Sequence, residues 1–238
     1  MTLHPTARCC WCQKALVQVD RIWWCQTEAC RVRQREHGMG RQLGKGKAAK
    51  WEWLYVPTPK QVEFDACPAK YVLYGGAAGP GKSHAARWAL YRRCLTQPNY
   101  EALLLRKTFP ELEKTHLRRM AREAALVGAE YLDSKRLMRW PNGSLIECGH
   151  MEDADAVAKY LSTEYDVIVT DEGSTFDPNA LLELSTRSVD RRPGGRFWVV
   201  SNPGGPASGM LLDFFVDHQP DFDERPQLQA KYAAEQWR

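Results

Sequence analysis

The chain has 238 residues, with 33 Lys or Arg against 29 Asp or Glu, a formal charge of +4. Its 44% hydrophobic and 26% charged residues lie close to soluble globular averages, which excludes collagen-like, disordered and disulfide-scaffold classes. No apolar run approaches the ~18 residues that would span a bilayer, and MTLHPTARCCWC lacks a signal-peptide stretch, so a cytosolic protein is expected.

The charge is unevenly spread. Residues 1–60 hold 11 Lys or Arg and 4 Asp or Glu, a balance of +7, which leaves −3 for the remaining 178. Five of the eight cysteines (Cys9, Cys10, Cys12, Cys25 and Cys30) fall in the first 30 residues. In a reducing compartment such clustering points to metal rather than disulfides. Cys9-x2-Cys12 and Cys25-x4-Cys30 approximate zinc-ribbon spacing, two knuckles closing a tetrahedral thiolate site, with Cys10 and His37 as substitutes. A segment this short buries little core, so a structural Zn²⁺ would supply folding energy; buried free thiols are the alternative. Arg31, Arg33 and Arg35 suit contact with nucleic-acid phosphates, a solvated basic face, or a protein partner. These features delimit a Cys-rich module over 1–37. GMGRQLGKGKAAK then predicts a flexible basic linker over 38–50.

From Trp51 the pattern is that of an α/β domain extending to 216. Tyr71–Tyr74 predicts a strand, followed by a glycine-rich turn and the helical stretch SHAARWALYRRCL. Ala102–Leu105 predicts a second buried strand, and Pro110 opens a helix to about Val127. RLMRW and SLIEC flank Asn142-Gly143 as a hairpin. Helices are expected over 153–161 and 179–189, and strands over 166–170 and 196–201. This alternation implies a mostly parallel sheet with helices on both faces.

Between the first of these strands and its helix, Gly76-Ala77-Ala78-Gly79-Pro80-Gly81-Lys82-Ser83 matches G-x-x-x-x-G-K-[ST]. Backbone N–H groups of such a loop approach phosphate oxygens closely, and the helix that follows directs its positive end at them. Lys82 would reach the β/γ-phosphates and Ser83 would ligate Mg²⁺. Tyr165–Glu172, YDVIVTDE, is an apolar strand that delivers Asp171 and Glu172 at its C-terminal end, where open α/β sheets bind ligands. Asp171 is the expected metal partner and Glu172 the group that orients or deprotonates an attacking water. Asn202, after the strand RFWVV, would stand at the same edge and sense a γ-phosphate, unless SNPGG is an ordinary turn. Gln61, ahead of the first strand, either reads the adenine edge or belongs to a solvated turn.

In order, PTPKQVEF, GGAAGPGKS, LLLRKTFPELEK, STEYDVIVTDEGSTF and FWVVSNPGG resemble the ATPase half of tailed-phage terminase large subunits, over about 51–216. The resemblance implies a P-loop NTPase fold of the RecA-like kind and Mg·ATP hydrolysis coupled to movement of double-stranded DNA into a procapsid. Lys82 and Ser83 would hold phosphate and Mg²⁺, Asp171 the metal, Glu172 the water, and Gln61 the adenine. Asn202 would link hydrolysis to DNA movement. It also implies a portal protein and a small terminase subunit as partners, a homo-oligomeric ring, and the host cytoplasm as location. Many terminases carry an arginine in the loop where this chain has Ala77 and Ala78, so Arg106 and Arg187 are candidates for the charge-stabilising cation, with surface ion pairing as the alternative for each. Such subunits continue into a carboxylate-rich nuclease. Here Asp213, Asp217, Asp221, Asp223 and Glu224 are expected to form a solvated acidic connector, 217–238, with the nuclease absent. A RecA-like helicase or remodeller, and a non-catalytic DNA- or portal-binding remnant, are the competing readings.

Overall fold

The computed structural model describes residues 2–8, 15–19, 22–24, 28–43, 50–76, 79, 81–153, 155–189 and 193–217. They divide into two compact units, 1–66 and 67–238.

In the first unit, β1 (Thr2–Arg8), β2 (Ala15–Val19) and β3 (Ile22–Trp24) pair antiparallel as a three-stranded sheet. Helix α1 (Glu28–Glu36) carries Cys30, which is buried and not in a disulfide. Cys9, Cys10, Cys12 and Cys25 lie outside the described residues. His37 Nδ1 lies 2.7 Å from Asp65 Oδ2. The stretch expected to be a linker includes a strand. β4 (Met39–Leu43) pairs antiparallel with β5 (Lys50–Tyr55), Arg41 and Glu52 facing each other across the ladder with a 2.7 Å ion pair. The Gly- and Lys-rich composition concealed it, because backbone pairing with Trp51–Tyr55, rather than apolar alternation, forms the strand. Helix α2 (Pro59–Ala66) closes the unit.

The second unit is built on a seven-stranded sheet in the order β6-β12-β11-β7-β10-β9-β8. In chain order these are β6 (Tyr71–Tyr74), helix α3 (Lys82–Thr96), β7 (Glu101–Arg106), α4 (Phe109–Leu112), α5 (Arg118–Glu123), β8 (Glu130–Leu132), β9 (Leu137–Arg139), β10 (Leu145–His150), β11 (Val167–Asp171), α6 (Pro178–Val189), β12 (Arg196–Val200) and α7 (Ser208–Phe215). The first five strands in the sheet order run parallel; β9 and β8 add antiparallel at one side. The hairpin expected around Asn142-Gly143 is present, with Gly143 at φ 89°.

Alternation along the parallel strands splits the core. Tyr71, Phe197, Ile168 and Leu103 stand in one cross-strand row and pack with Leu181, Leu184, Leu211 and Phe214 of α6 and α7. Helix α3 packs against β10 and β12. Leu103, Leu104 and Leu105 have no exposed surface, so each contributes about 1.5–3 kcal/mol of apolar burial.

Two helical expectations change in kind. The segment 153–161 forms only a 3₁₀ turn, Asp155–Lys159, with Asp153 Oδ1 accepting from the Ala156 N–H at 2.8 Å. The run from Phe109 to Val127 is helical but not uniform. A π-turn over Glu113–Leu117 separates α4 from α5, with the Arg118 N–H bonding the Glu113 carbonyl, and a 3₁₀ turn, Ala124–Val127, ends it. Leu112, Leu117 and Met120 along this run are all buried.

Candidate active site

The C-terminal ends of β6, β11 and β12 gather the expected residues. After β6, Gly76, Gly79 and Gly81 all take positive φ (129°, 95° and 74°), a left-handed path open to glycine at no steric cost. Gly81 delivers α3, whose first residues are Lys82 and Ser83. Ala77, Ala78 and Pro80 lie outside the described residues.

Lys82 Nζ donates to the Gly76 carbonyl at 3.0 Å and to Asn202 Oδ1 at 2.7 Å. Asn202 Nδ2 donates in turn to Glu172 Oε1 at 3.2 Å, so a single amide bridges the loop lysine and the strand-end glutamate. This network fixes the amide orientation, since only the oxygen can accept from an ammonium. Ser83 Oγ donates to Asp171 Oδ1 at 2.9 Å. Burial lowers the Lys82 pKa, against the opposing pull of Glu172 and Asp171.

Asp171 has no exposed surface and is the most heavily bonded carboxylate of the site. Arg106 Nη1 donates to Oδ2 at 3.0 Å, and His116 Nε2 lies 2.9 Å from the same oxygen. Burial pushes the Asp171 pKa up, but the hydrogen bond from His116, the Arg106 guanidinium and the Ser83 hydroxyl overcome it and hold it below its ordinary value. His116 is fully buried, and burial lowers its pKa despite Asp171. The neutral ring therefore donates from Nε2, and its Nδ1 has no partner among the described residues. His116 escapes a reading of the sequence because it sits on the apolar face of LEKTHLRRM, four residues after Leu112. A polar residue at a core phase of a helix was the available signal.

Glu172 occupies the left-handed region at φ 57°, uncommon for a residue with a side chain and characteristic of sites whose geometry is imposed by their surroundings. Its carbonyl accepts from the Thr175 N–H at 3.0 Å and from Thr175 Oγ1 at 2.7 Å. Gly173 follows because a Cβ there would collide with Val199. Ser174 ties this turn to the Asn202 loop, donating from Oγ to the Asn202 carbonyl at 3.0 Å, while Ser201 Oγ donates to Ser174 Oγ at 2.8 Å.

Lys82, Ser83, Arg106, Asp171, Glu172 and Asn202 are thus brought together. Arg106 is committed to Asp171, with Glu172 Oε1 4.0 Å away. Arg187 lies on α6, and its side chain is outside the described residues. Gln61, in the first unit, closes a capping box on α2. Its Oε1 accepts from the Thr58 N–H at 2.8 Å, and Thr58 Oγ1 faces the Gln61 N–H at 3.4 Å.

Two cavities flank the loop. An open cleft of about 420 Å³ is lined by Gly79, Lys82, Ser83 and Glu172 together with Lys114 and Arg119. An apolar cavity of about 360 Å³ lies between Leu73, Gly76, Pro203 and Leu211. Among the described residues no helix is long and apolar enough to cross a membrane, and no group of three or more His, Cys, Asp or Glu gathers as a metal cluster.

No protein-family model matches the chain, and no protein of curated function matches it. Solved structures do. The large terminase ATPase domain of Thermus phage P74-26 superposes with a TM-score of 0.55 at 15% identity, over 75% of this chain and 86% of that one. The large terminase of another thermophilic bacteriophage, in complex with ADP, gives 0.52 at 14% identity, over 72% of this chain but only 47% of that one. The N-terminal domain of the DNA packaging ATPase of bacteriophage phi29 gives 0.50 at 22%, over 71% and 89%. At these identities the likeness is one of fold: the mostly parallel α/β sheet of the chain is that of phage packaging ATPase domains.

Proposed function

From this fold and site we propose that the chain is an ATP hydrolase of the phage terminase type, which couples hydrolysis to translocation of double-stranded DNA. The observation that carries the reading is the convergence of Lys82, Ser83, Asp171, Glu172 and Asn202 at one sheet edge through 2.7–3.2 Å hydrogen bonds. That arrangement joins a phosphate cradle to a carboxylate pair.

Each residue then has a task set by its chemistry. Lys82 and the N–H groups of the glycine loop bind the β/γ-phosphates. Ser83 Oγ and Asp171 are hard oxygen donors side by side and suit a Mg²⁺ that keeps water and phosphate oxygens as its other ligands. When bound, the ion neutralises charge on the phosphates. Arg106 and His116 hold Asp171 ionised and oriented for that duty. Glu172, 29% exposed at its side chain, is the group of the site free to align a water for in-line attack and accept its proton. Asn202 bridges Lys82 and Glu172, so a ligand that draws Lys82 toward its phosphates also moves the amide holding Glu172. This is a route from occupancy to the β12–α7 loop and from there to bound DNA. The ADP-bound large terminase from a thermophilic bacteriophage, which shares the fold, supports a nucleotide as the ligand. Portal and small-subunit partners belong to the same reading.

Glu172→Gln tests it. The variant keeps the shape of the side chain and its hydrogen bond to Asn202 but loses the base. ATP affinity is expected to stay within a few-fold while turnover falls by ~10³ or more. Turnover retained by Glu172→Gln overturns the water-positioning role, and no ATP hydrolysis by the wild type, with or without duplex DNA, overturns the enzyme.

A further inference from the structure

The cleft beside the glycine loop has a second cationic wall that none of the site residues above explains. Its cations come from two elements. On α3, Lys82 is spent on Gly76 and Asn202, and Arg87, 1% exposed, is closed into a two-pronged pair with Glu123 at 2.7 and 2.9 Å. Arg106, bound to Asp171, is equally committed. Lys114 and Arg119 differ. Both line the cleft, both are solvent-exposed, and neither enters an ion pair among the described residues. Their neighbour Arg118 pairs with Glu113 at 3.1 Å.

The π-turn accounts for their placement. Residues five apart diverge around an α-helix, but a turn closed by i→i+5 bonds brings them toward a common face. Lys114 is the second residue of that turn and Arg119, five residues on, is the second of α5, while His116 between them points inward to Asp171. The π-turn and the start of α5 therefore present two cations to the cleft and one imidazole to the carboxylate beneath. Arg119 also acts on the cleft electrostatically, since its charge is among those that disfavour protonation of His84, another lining residue.

We propose that Lys114 and Arg119 are polyphosphate-binding residues that clamp the phosphate chain of the nucleotide against the glycine loop from the opposite element of the cleft. The inference rests on the nucleotide reading above and deepens it. A nucleoside triphosphate brings about four negative charges, more than Lys82 and one divalent ion neutralise, and two unpaired cations on a neighbouring wall meet the remainder. Exposed, unpaired side chains are also the ones able to swing onto a ligand without breaking a pair already made.

The test is equilibrium binding of ATP, ADP and adenosine to the wild type and to Lys114→Ala, Arg119→Ala, the double variant and Arg118→Ala, each at two salt concentrations. Each cleft variant is expected to lose roughly tenfold in ATP affinity, less in ADP and nothing in adenosine, with a shallower salt dependence. Arg118→Ala, which removes the same charge from the same helix away from the cleft, is expected to match the wild type. Equal losses for all three ligands, an equal loss in Arg118→Ala, or unchanged ATP binding in the double variant each overturn the clamp while leaving the ATPase standing. The same holds if the double variant loses duplex DNA affinity and no nucleotide affinity. A wild type that binds none of the three ligands overturns both.

Discussion

Two carboxylates in the second unit, Asp171 fully buried and Glu123 partly so, are each held by an arginine, and they are built for different purposes. Glu123 meets Arg87 through two bonds and accepts a third from Tyr91 Oη at 2.8 Å. Asp171 meets Arg106 through one bond, and its remaining partners are a hydroxyl and an imidazole that lead to the glycine loop and the π-turn. The first group takes three bonds from a single helix, α3. The second leaves a polar atom without a partner among the described residues on each of its larger donors, Nε of Arg106 and Nδ1 of His116. A buried ion pair is therefore not by itself a sign of function. What separates the two is whether the pair closes on itself or lies next to a hydroxyl, a strained glutamate and an open cleft.

The comparison is broken most directly by removing one charge from each cluster. Asp171→Asn keeps the shape, and its one carbonyl oxygen can still accept from Arg106 and His116 while its amide donates to Ser83 Oγ, yet it removes the anion on which the metal role depends. ATP turnover is expected to fall by ~10³ with a modest change in thermal melting. A variant that melts far below the wild type would place Asp171 with the structural pair instead. Glu123→Gln is the smaller and opposite case. It leaves Arg87, 1% exposed, facing a neutral partner, and unfolding in urea is expected to show a loss of about 3 kcal/mol with turnover of the folded fraction retained. Replacing both partners, Arg87→Met with Glu123→Leu, should recover most of that loss, because a desolvated pair contributes little net stability once both charges are gone.

The two clusters also differ in how far the sequence disclosed them. Gly76 to Ser83 and Asp166 to Glu172 were legible because each motif couples a residue pattern to a place at a strand end, and the parallel sheet then fixes where strand ends meet. Asn202 followed from the same logic. Lys114 and Arg119 were not legible, and His116 showed only as a polar residue at a core phase of the helix. Their directions depend on a π-turn, and the run LEKTHLRRM has the composition of an ordinary solvated helix. Arg106 was visible as a cation at a strand end, but not its commitment to Asp171, which needs the pairing of β7 with β11. The strand Met39–Leu43 was hidden for a related reason: it is formed by its partner and not by its own residues.

His84 offers the finest test, because it belongs to the closed cluster while lining the open cleft. Its Nδ1 lies 3.1 Å from Arg87 Nη2, an arrangement in which the neutral ring accepts from the guanidinium. Burial lowers its pKa from 6.5 to about 4, and the charge of Arg87 adds to the shift, with Glu123 opposing and Arg119 reinforcing it. The folded state therefore takes up this proton only near pH 4, whereas the unfolded chain takes it up near 6.5. Between those values the unfolded state binds more protons, so the stabilisation present above about pH 6.5 is lost progressively as the pH falls toward about 4. Asp171 and Glu123, both held below their ordinary values, act mostly under about pH 4.5, but His116, also lowered by burial, shares the window. His84→Gln should accordingly flatten, without abolishing, the fall in unfolding free energy between about pH 6.5 and 4.5, by on the order of 1–2 kcal/mol. Urea titrations at a series of pH values measure it. A slope equal to that of the wild type would mean that the His84 ring is neither buried nor held by Arg87 in the folded state, and that the closed cluster ends at Glu123 and Tyr91.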